Sequence, residues 1–266
     1  PPSSSCRPGC PDEPSRGRVT AIFEADGLSK AFGGLTAVDR VSFRAVRGEI
    51  LGIAGPNGSG KSTLFNIITG IPFRADGGRA LFEGREIQRL SGHRIARMGL
   101  ARTFQRESVF PSLSAIDNVL TAVEHSGASH GLARDAKAAE RALATAGFPA
   151  TAHNTPAGAL PVFHRKLVMI AGALALNPRL LLLDEPASSL TRPEIARMKA
   201  VIERLRDAGM TILLIEHVLP LLTAVSDRLL VLDQGRVIAE GRPGEVIRDP
   251  AVVEAYLGGA AEGVPA

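Results

Sequence analysis

The sequence predicts an α/β fold with a parallel-sheet core built around a phosphate-binding loop. Three stretches carry that prediction. The apolar run Ile50-Leu51-Gly52-Ile53-Ala54 leads into Gly55-Pro56-Asn57-Gly58-Ser59-Gly60-Lys61-Ser62-Thr63, which opens a helix-like run to Thr69. Strand, glycine-rich loop and helix, in that order, form the context a P-loop requires. Leu180 to Leu183 is apolar at every position and ends in Asp184-Glu185. A strand apolar on both faces belongs beneath helices in a parallel sheet. Thr211 to Ile215 reads the same way and ends in Glu216-His217.

The loop has the residue types its chemistry needs. Gly55, Gly58 and Gly60 let the backbone turn its N–H groups inward towards phosphate oxygens. The start of the next helix adds partial positive charge at the same place. Lys61 brings a full charge to the β- and γ-phosphates, and the Ser62 hydroxyl is placed to ligate Mg²⁺. The ligands read from this stretch are therefore ATP and Mg²⁺. A glycine-rich turn that binds nothing is the bland alternative, and the flanking strand and helix argue against it.

Composition narrows the class. The chain has 266 residues, enough for one large α/β domain or two small ones. A net charge of +4 is too small to argue for nucleic acid, and 4% aromatic residues without Trp leave little for stacking on bases. No apolar run reaches the roughly 20 residues of a spanning helix, and no secretory leader is read.

Taken in order, residues 1–18 are rich in Pro, Ser, Gly and Arg and are expected to be a disordered tail. Cys6 and Cys10 lie in it and lack the second half of a zinc site. Val19 to Glu24 reads as a strand, residues 28–35 as a loop carrying the exposed-looking Phe32, and Ala37 to Ala45 as a second strand. Gly77 to Phe82 is a strand with a turn at Glu83-Gly84. Ser91 to Met98 is a helix with Ser91 as N-cap. Leu100 to Phe104 is a short strand ending at Gln105. From about residue 106 to 166 the apolar spacing becomes helical (Ile116, Val119, Leu120, Val123; Ala138, Ala142, Leu143, Ala146), which reads as a helical insertion. Leu167 to Leu176 is a further helix stopped by Asn177-Pro178. Pro193 to Ala208 is a helix with Pro193 in its first turn. Arg228 to Leu232 and Arg236 to Ala239 form a hairpin, and Glu245 to Tyr256 is a helical tail. There is no internal repeat. The folded domain is expected to span 19–258, with 259–266 as a C-terminal tail.

Asp184 and Glu185 stand at the carboxyl edge of their strand, where ligands bind in open α/β sheets. Adjacent strand residues point in opposite directions, so the two acids need different tasks. Asp184 can hold Mg²⁺ through water, and Glu185 can orient or deprotonate the attacking water. Gln105, at its own strand end, can complete the metal and water shell. His217 can hydrogen-bond the γ-phosphate, although a lone histidine is more often structural.

With these features in hand, the chain resembles the ATP-binding subunits of ABC transporters, from Val19 to about Gly258. The resemblance rests on the P-loop, Gln105, Leu180 to Glu185, His217 and their order. It implies a cassette with a parallel-sheet core, an antiparallel β subdomain and a helical subdomain, and it makes Phe32 the aromatic that stacks on adenine. Gly99-Leu100-Ala101-Arg102-Thr103-Phe104-Gln105, Phe110-Pro111-Ser112-Leu113-Ser114 and the tail Asp249-Pro250 with Val253-Glu254-Ala255-Tyr256-Leu257-Gly258 resemble the branched-chain amino-acid importer branch. That branch implies a second ATPase subunit, with a heterodimer favoured, two transmembrane permease subunits and a solute-binding protein. It implies a peripheral location on the cytoplasmic face of the plasma membrane. The surface that receives the membrane subunits is expected around Gln105 to Leu113, with Val109, Phe110 and Leu113.

The chain departs from the family at the Leu-Ser-Gly-Gly-Gln-like signature, where it has Leu160-Pro161-Val162-Phe163-His164-Arg165-Lys166. Pro161 removes a hydroxyl and an N–H, and Phe163 replaces a glycine where backbone must approach phosphate. Thr191 also stands where Asp or Asn is usual. The chain's own ATP site is thus expected to be intact and the site it completes on its partner impaired. Exchanging Pro161 for Ser together with Phe163 for Gly is expected to raise ATPase activity. The alternative is a catalytically weak regulatory subunit. A soluble cassette protein acting on nucleic acid is disfavoured, because tandem cassettes, long coiled coils and strong basic patches are all missing.

Overall fold

The computed structural model describes residues 21–104, 108–125 and 132–258. Gln105 and both cysteines lie outside them, as do the two predicted tails.

Two sheets share the chain. A six-stranded sheet runs in the order β10-β9-β3-β8-β7-β6, built from β3 (Ile50–Ala54), β6 (Leu100–Arg102), β7 (Leu180–Asp184), β8 (Thr211–Ile215), β9 (Arg228–Asp233) and β10 (Arg236–Gly241). Its pairs are parallel except β9 with β10. A four-stranded antiparallel sheet runs β2-β1-β4-β5, from β1 (Ala21–Phe32), β2 (Leu35–Val46), β4 (Gly77–Phe82) and β5 (Arg85–Glu86).

The period of two in the central strands divides the core. Leu180, Leu182, Leu213, Ile215, Leu51 and Ile53 face the antiparallel sheet and helix α1 (Lys61–Thr69). Leu181, Leu183, Ile212, Leu214, Ile50 and Ala54 face the other cluster, with the helices. Both faces are covered, which is why β3, β7 and β8 are buried at every residue.

The helical block comprises α3 (Ala115–His125), α4 (Leu132–Ala146) and α5 (Val162–Ala175), which pack on one another. Val119 and Val123 meet Ala139, Leu143 and Ala146 of α4 and Leu167, Ile170 and Ala171 of α5. The chain closes with α6 (Arg192–Asp207), α7 (Leu219–Val225), α8 (Pro243–Val246) and α9 (Pro250–Gly258), while α2 (Gly92–Arg97) precedes β6.

Three boundaries and one cap stand out against the sequence reading. Residues 28–32 continue β1 rather than forming a loop, because pairing with β2 carries on to Phe32 opposite Leu35 around Gly33-Gly34. The helical block extends past residue 166, since Val162 to Ala175 is one helix. The C-terminal helix is two, because Pro250 cannot continue α8. Ser91 precedes α2 but makes no side-chain cap, its hydroxyl meeting His93 Nδ1 instead. Thr191 finds a local explanation as the N-cap of α6, with the Glu194 carboxylate accepting from its N–H at 2.8 Å and from its hydroxyl at 2.7 Å.

Candidate active site

The P-loop joins the last residue of β3 to the first of α1. Its glycines are enforced by contact. Gly55 has φ +146°, and a Cβ there would stand 2.1 Å from the Leu232 carbonyl oxygen. Gly60 has φ +100°, and a Cβ would stand 2.3 Å from that of Ala37. The first turn of α1 has no side-chain cap, so its N–H groups remain available to an anion.

A cleft of about 410 Å³ brings Phe32, Asn57, Gly58, Ser59, Gly60, Lys61, Ser62, Thr63, Glu185 and His217 together. Gly55 and Pro56 lie just behind it. Lys61 is buried and folded back on the loop, donating to Gly55 O and Pro56 O, each at 2.8 Å, and to Ser59 Oγ at 3.3 Å. Burial pulls its pKa down, against the charges of Glu185 and Asp184. Its charge is thus costly where it stands, and phosphate is the partner that relieves it.

Phe32 is 43% exposed, at the very end of β1. It meets Phe73 edge-on at 4.9 Å. The strand end is pinned by Asp76, which accepts from Lys30 Nζ at 2.6 Å and from the Ala31 N–H at 2.8 Å. Phe32 is therefore not a core residue, and Lys30 Nζ stands 5.3 Å from its ring centroid.

The two acids diverge by a kink rather than by the pleat. The strand ends at Asp184, and Glu185 turns into the left-handed region at φ +49°, its N–H still bonded to Ile215 O at 2.9 Å. Such a conformation is strained for a side chain with a Cβ and is held by its surroundings. Its carbonyl accepts from Lys166 Nζ at 3.2 Å, and Lys166 also reaches Ser188 Oγ at 2.8 Å. Glu185 Oε1 lies 2.6 Å from His217 Nε2 at the cleft wall. His217 thus meets Glu185, and both line the cleft that the P-loop borders.

Asp184 is buried. Its Oδ2 accepts from Arg102 Nη2 at 2.6 Å, while Oδ1 has no partner among the described residues. Burial raises its pKa, and the Arg102 hydrogen bond opposes that rise. An orphaned carboxylate oxygen on Asp184 and the Ser62 hydroxyl of the P-loop are the kind of donors that suit Mg²⁺, which takes one or two protein oxygens and shares the rest with phosphate and water. The donor set fits. Among the described residues no cluster of three acids, histidines or cysteines could hold a metal alone.

Arg102 was legible in the sequence only as part of a motif. Its Nη1 also donates to Asn66 Oδ1 at 2.8 Å and Thr69 Oγ1 at 3.3 Å, and its guanidinium lies over Phe65 and Phe104. The signal was a charge inside a short apolar strand. Lys166 and Glu216 were missed for want of any local signal.

At the signature segment, Leu160 is buried and Pro161 is the exposed N-cap of α5, without a side-chain cap. Phe163 is 3% exposed, with the Arg197 guanidinium 4.2 Å from its ring centroid. Its ring points into the core. The expectation that Phe163 obstructs the phosphate-facing backbone is therefore corrected: the departure at the surface is Pro161.

Comparison with known proteins agrees with this architecture. Residues 38–188 match the family described as ABC transporter, and residues 236–266 match the one described as branched-chain amino acid ATP-binding cassette transporter. The high-affinity branched-chain amino acid transport ATP-binding protein BraF of Pseudomonas aeruginosa is 37% identical over 250 residues, covering 89% of this chain and 98% of that protein. LivG of Escherichia coli, with the same description, is 36% identical over 251 residues at the same coverage. A nucleotide-free ATP-binding cassette from an ABC transporter superposes with TM-score 0.80 at 30% identity, covering 89% of this chain and 99% of that one. A cassette in its ADP conformation gives 0.80 at 31% identity, covering 90% and 99%.

Proposed function

The chain belongs to the ABC transporter ATP-binding family, and from that premise we propose that it powers the import of branched-chain or related amino acids. It is an ATP-binding, ATP-hydrolysing subunit, and the regulatory alternative is not favoured, because the relatives at 36–37% identity are transport ATP-binding proteins. The observation that carries the site assignment is the single cleft shared by Phe32, the P-loop, Glu185 and His217.

In this reading Phe32 stacks on adenine, and the loop from Gly55 to Thr63 encloses the phosphates with Lys61 and with its N–H groups other than that of Gly55, which is bonded to the Tyr256 hydroxyl. Ser62 and Asp184, with Gln105, would hold Mg²⁺, whose charge would offset that of the β- and γ-phosphates. Glu185 orients the attacking water and takes its proton. His217 exchanges its bond to Glu185 for one to the γ-phosphate. Arg102 holds one oxygen of Asp184 and so leaves the other facing the metal.

The subunit works with membrane subunits as ABC transporters do. We assign it a second ATP-binding subunit, preferably a different chain because of Pro161, together with two permeases and a solute-binding protein. Among the described residues no helix is long and apolar enough to cross a membrane; we assign the chain to the cytoplasmic face, held there by the permeases. Phe110, 56% exposed, suits that contact, because Asn118 holds its N–H at 2.7 Å and its carbonyl at 3.1 Å. Val109 and Leu113 flank it, half-buried. The test is reconstitution with the permeases in vesicles. ATP-dependent leucine uptake is expected, lost in Lys61→Ala together with nucleotide binding. Uptake that survives the substitution would refute the assignment.

A further inference from the structure

We propose that Tyr256, on the last helix, is a positioning residue for the phosphate-binding loop, so that nucleotide affinity depends on how α9 is seated. The inference rests on the reading that this loop binds ATP. Tyr256 is the chain's only tyrosine. Its hydroxyl accepts the N–H of Gly55 at 2.8 Å, across 201 residues of chain. Gly55 is gripped from both sides, because its carbonyl accepts from Lys61 Nζ at 2.8 Å.

The two grips respond differently to nucleotide. A lysine ammonium has three donors. Here they meet three acceptors, Gly55 O, Pro56 O and Ser59 Oγ. Every bond that Lys61 makes to a phosphate therefore displaces one it makes to the loop. The Tyr256 bond uses an N–H turned away from the cleft, so phosphate does not compete for it. When the lysine turns to phosphate, the hydroxyl is what keeps the first peptide of the loop in place.

One side of α9 is only partly covered. An apolar groove of about 220 Å³, open to solvent, runs beside it, lined by Ala54, Leu229, Val231, Val246, Val252 and Tyr256, and Val253 and Leu257 on the helix are exposed. Ala54 in the groove wall is the residue before Gly55. A shift of α9 is thereby transmitted to the loop at one hydrogen bond.

The test is ATP titration of the full chain. Tyr256→Phe keeps the ring and deletes the acceptor. It is expected to raise the Kd for ATP by up to about tenfold, the most that one neutral hydrogen bond supplies, and to lower the nucleotide-free melting temperature by a few degrees, because the buried Gly55 N–H loses its acceptor. Amide exchange at the loop, measured with ATP bound, should quicken. Val252→Ala, which weakens the packing of α9 beside the groove and leaves the bond, should raise the Kd in the same direction by less. An unchanged Kd in Y256F, with wild type binding in a Lys61-dependent way, overturns this inference alone. So does a lowered melting temperature with unchanged Kd and exchange in both variants. No binding by wild type overturns the nucleotide reading instead.

Discussion

Helices α1 and α5 both begin without a side-chain cap, yet their first turns are made of opposite materials. At α1 the chain arrives through Gly58 and Gly60 and starts on Lys61. At α5 it arrives through Pro161 and places Phe163 within the first turn. The α1 glycines are enforced by neighbouring backbone, as Gly60 against Ala37 shows. The α5 residues are enforced by the core, where Phe163 lies beneath Arg197. One helix start is shaped for something that comes from outside, the other for what lies inside. Under the proposed pairing with a different ATP-binding subunit, this chain would bring the P-loop cleft as its own site and a weakened edge to its partner's.

The largest expected effect attacks the complete side. Glu185→Gln removes the base and keeps the shape, and should lower ATP turnover of the assembled complex by about 10²- to 10⁴-fold, with ATP affinity retained. Unaltered turnover would place hydrolysis in the other subunit and reverse the comparison.

The next experiment separates Pro161 from Phe163. Phe163→Gly removes a buried ring and should destabilise the fold by at least about 3–5 kcal/mol, the range for Phe to Ala, read by thermal melting. The double exchange suggested by sequence alone is therefore the wrong test. Pro161→Ser restores a hydroxyl and an N–H at the exposed edge. It should raise turnover at the partner's site by about tenfold or more if the new bonds reach a charged phosphate. Turnover that stays flat would mean that the edge is not what limits that site.

The smallest effect is a pH dependence beneath the complete site. Glu216 is buried and accepts the Ala187 N–H at 2.5 Å, bracing the loop that follows Glu185. Burial raises its pKa, with that hydrogen bond opposing. A carboxyl whose folded pKa is raised adds stability that is fully present below the ordinary value of 4.5 and is lost as pH rises through the folded value. Glu216→Gln should flatten that fall in the melting temperature of the nucleotide-free protein across mildly acidic pH. A difference between the two proteins that does not vary with pH would count against it.

Much of this was readable in one dimension, for reasons that can be named. The P-loop is contiguous, so its glycines, Lys61 and Ser62 announce themselves. The apolar runs of β3, β7 and β8 report burial on both faces. Residues that act across the fold were silent. Tyr256 and Gly55 lie on opposite sides of the sequence, and neither position hints at the other. Arg102 and Asp184 meet only because β6 pairs with β7 in parallel register, with Arg102 opposite Leu182. Gln105, expected in the metal shell, lies outside the described residues.

Local chemistry alone therefore determined the phosphate loop, the doubly buried strands and the acids at their ends, because each depends on neighbours in the chain. Tertiary structure decided three things that depend on direction in space. It turned the Phe163 ring inward, kinked Glu185 away from Asp184, and brought the last helix against the first peptide of the loop. Side-chain direction follows from packing between elements, and no stretch of sequence contains both partners of those contacts.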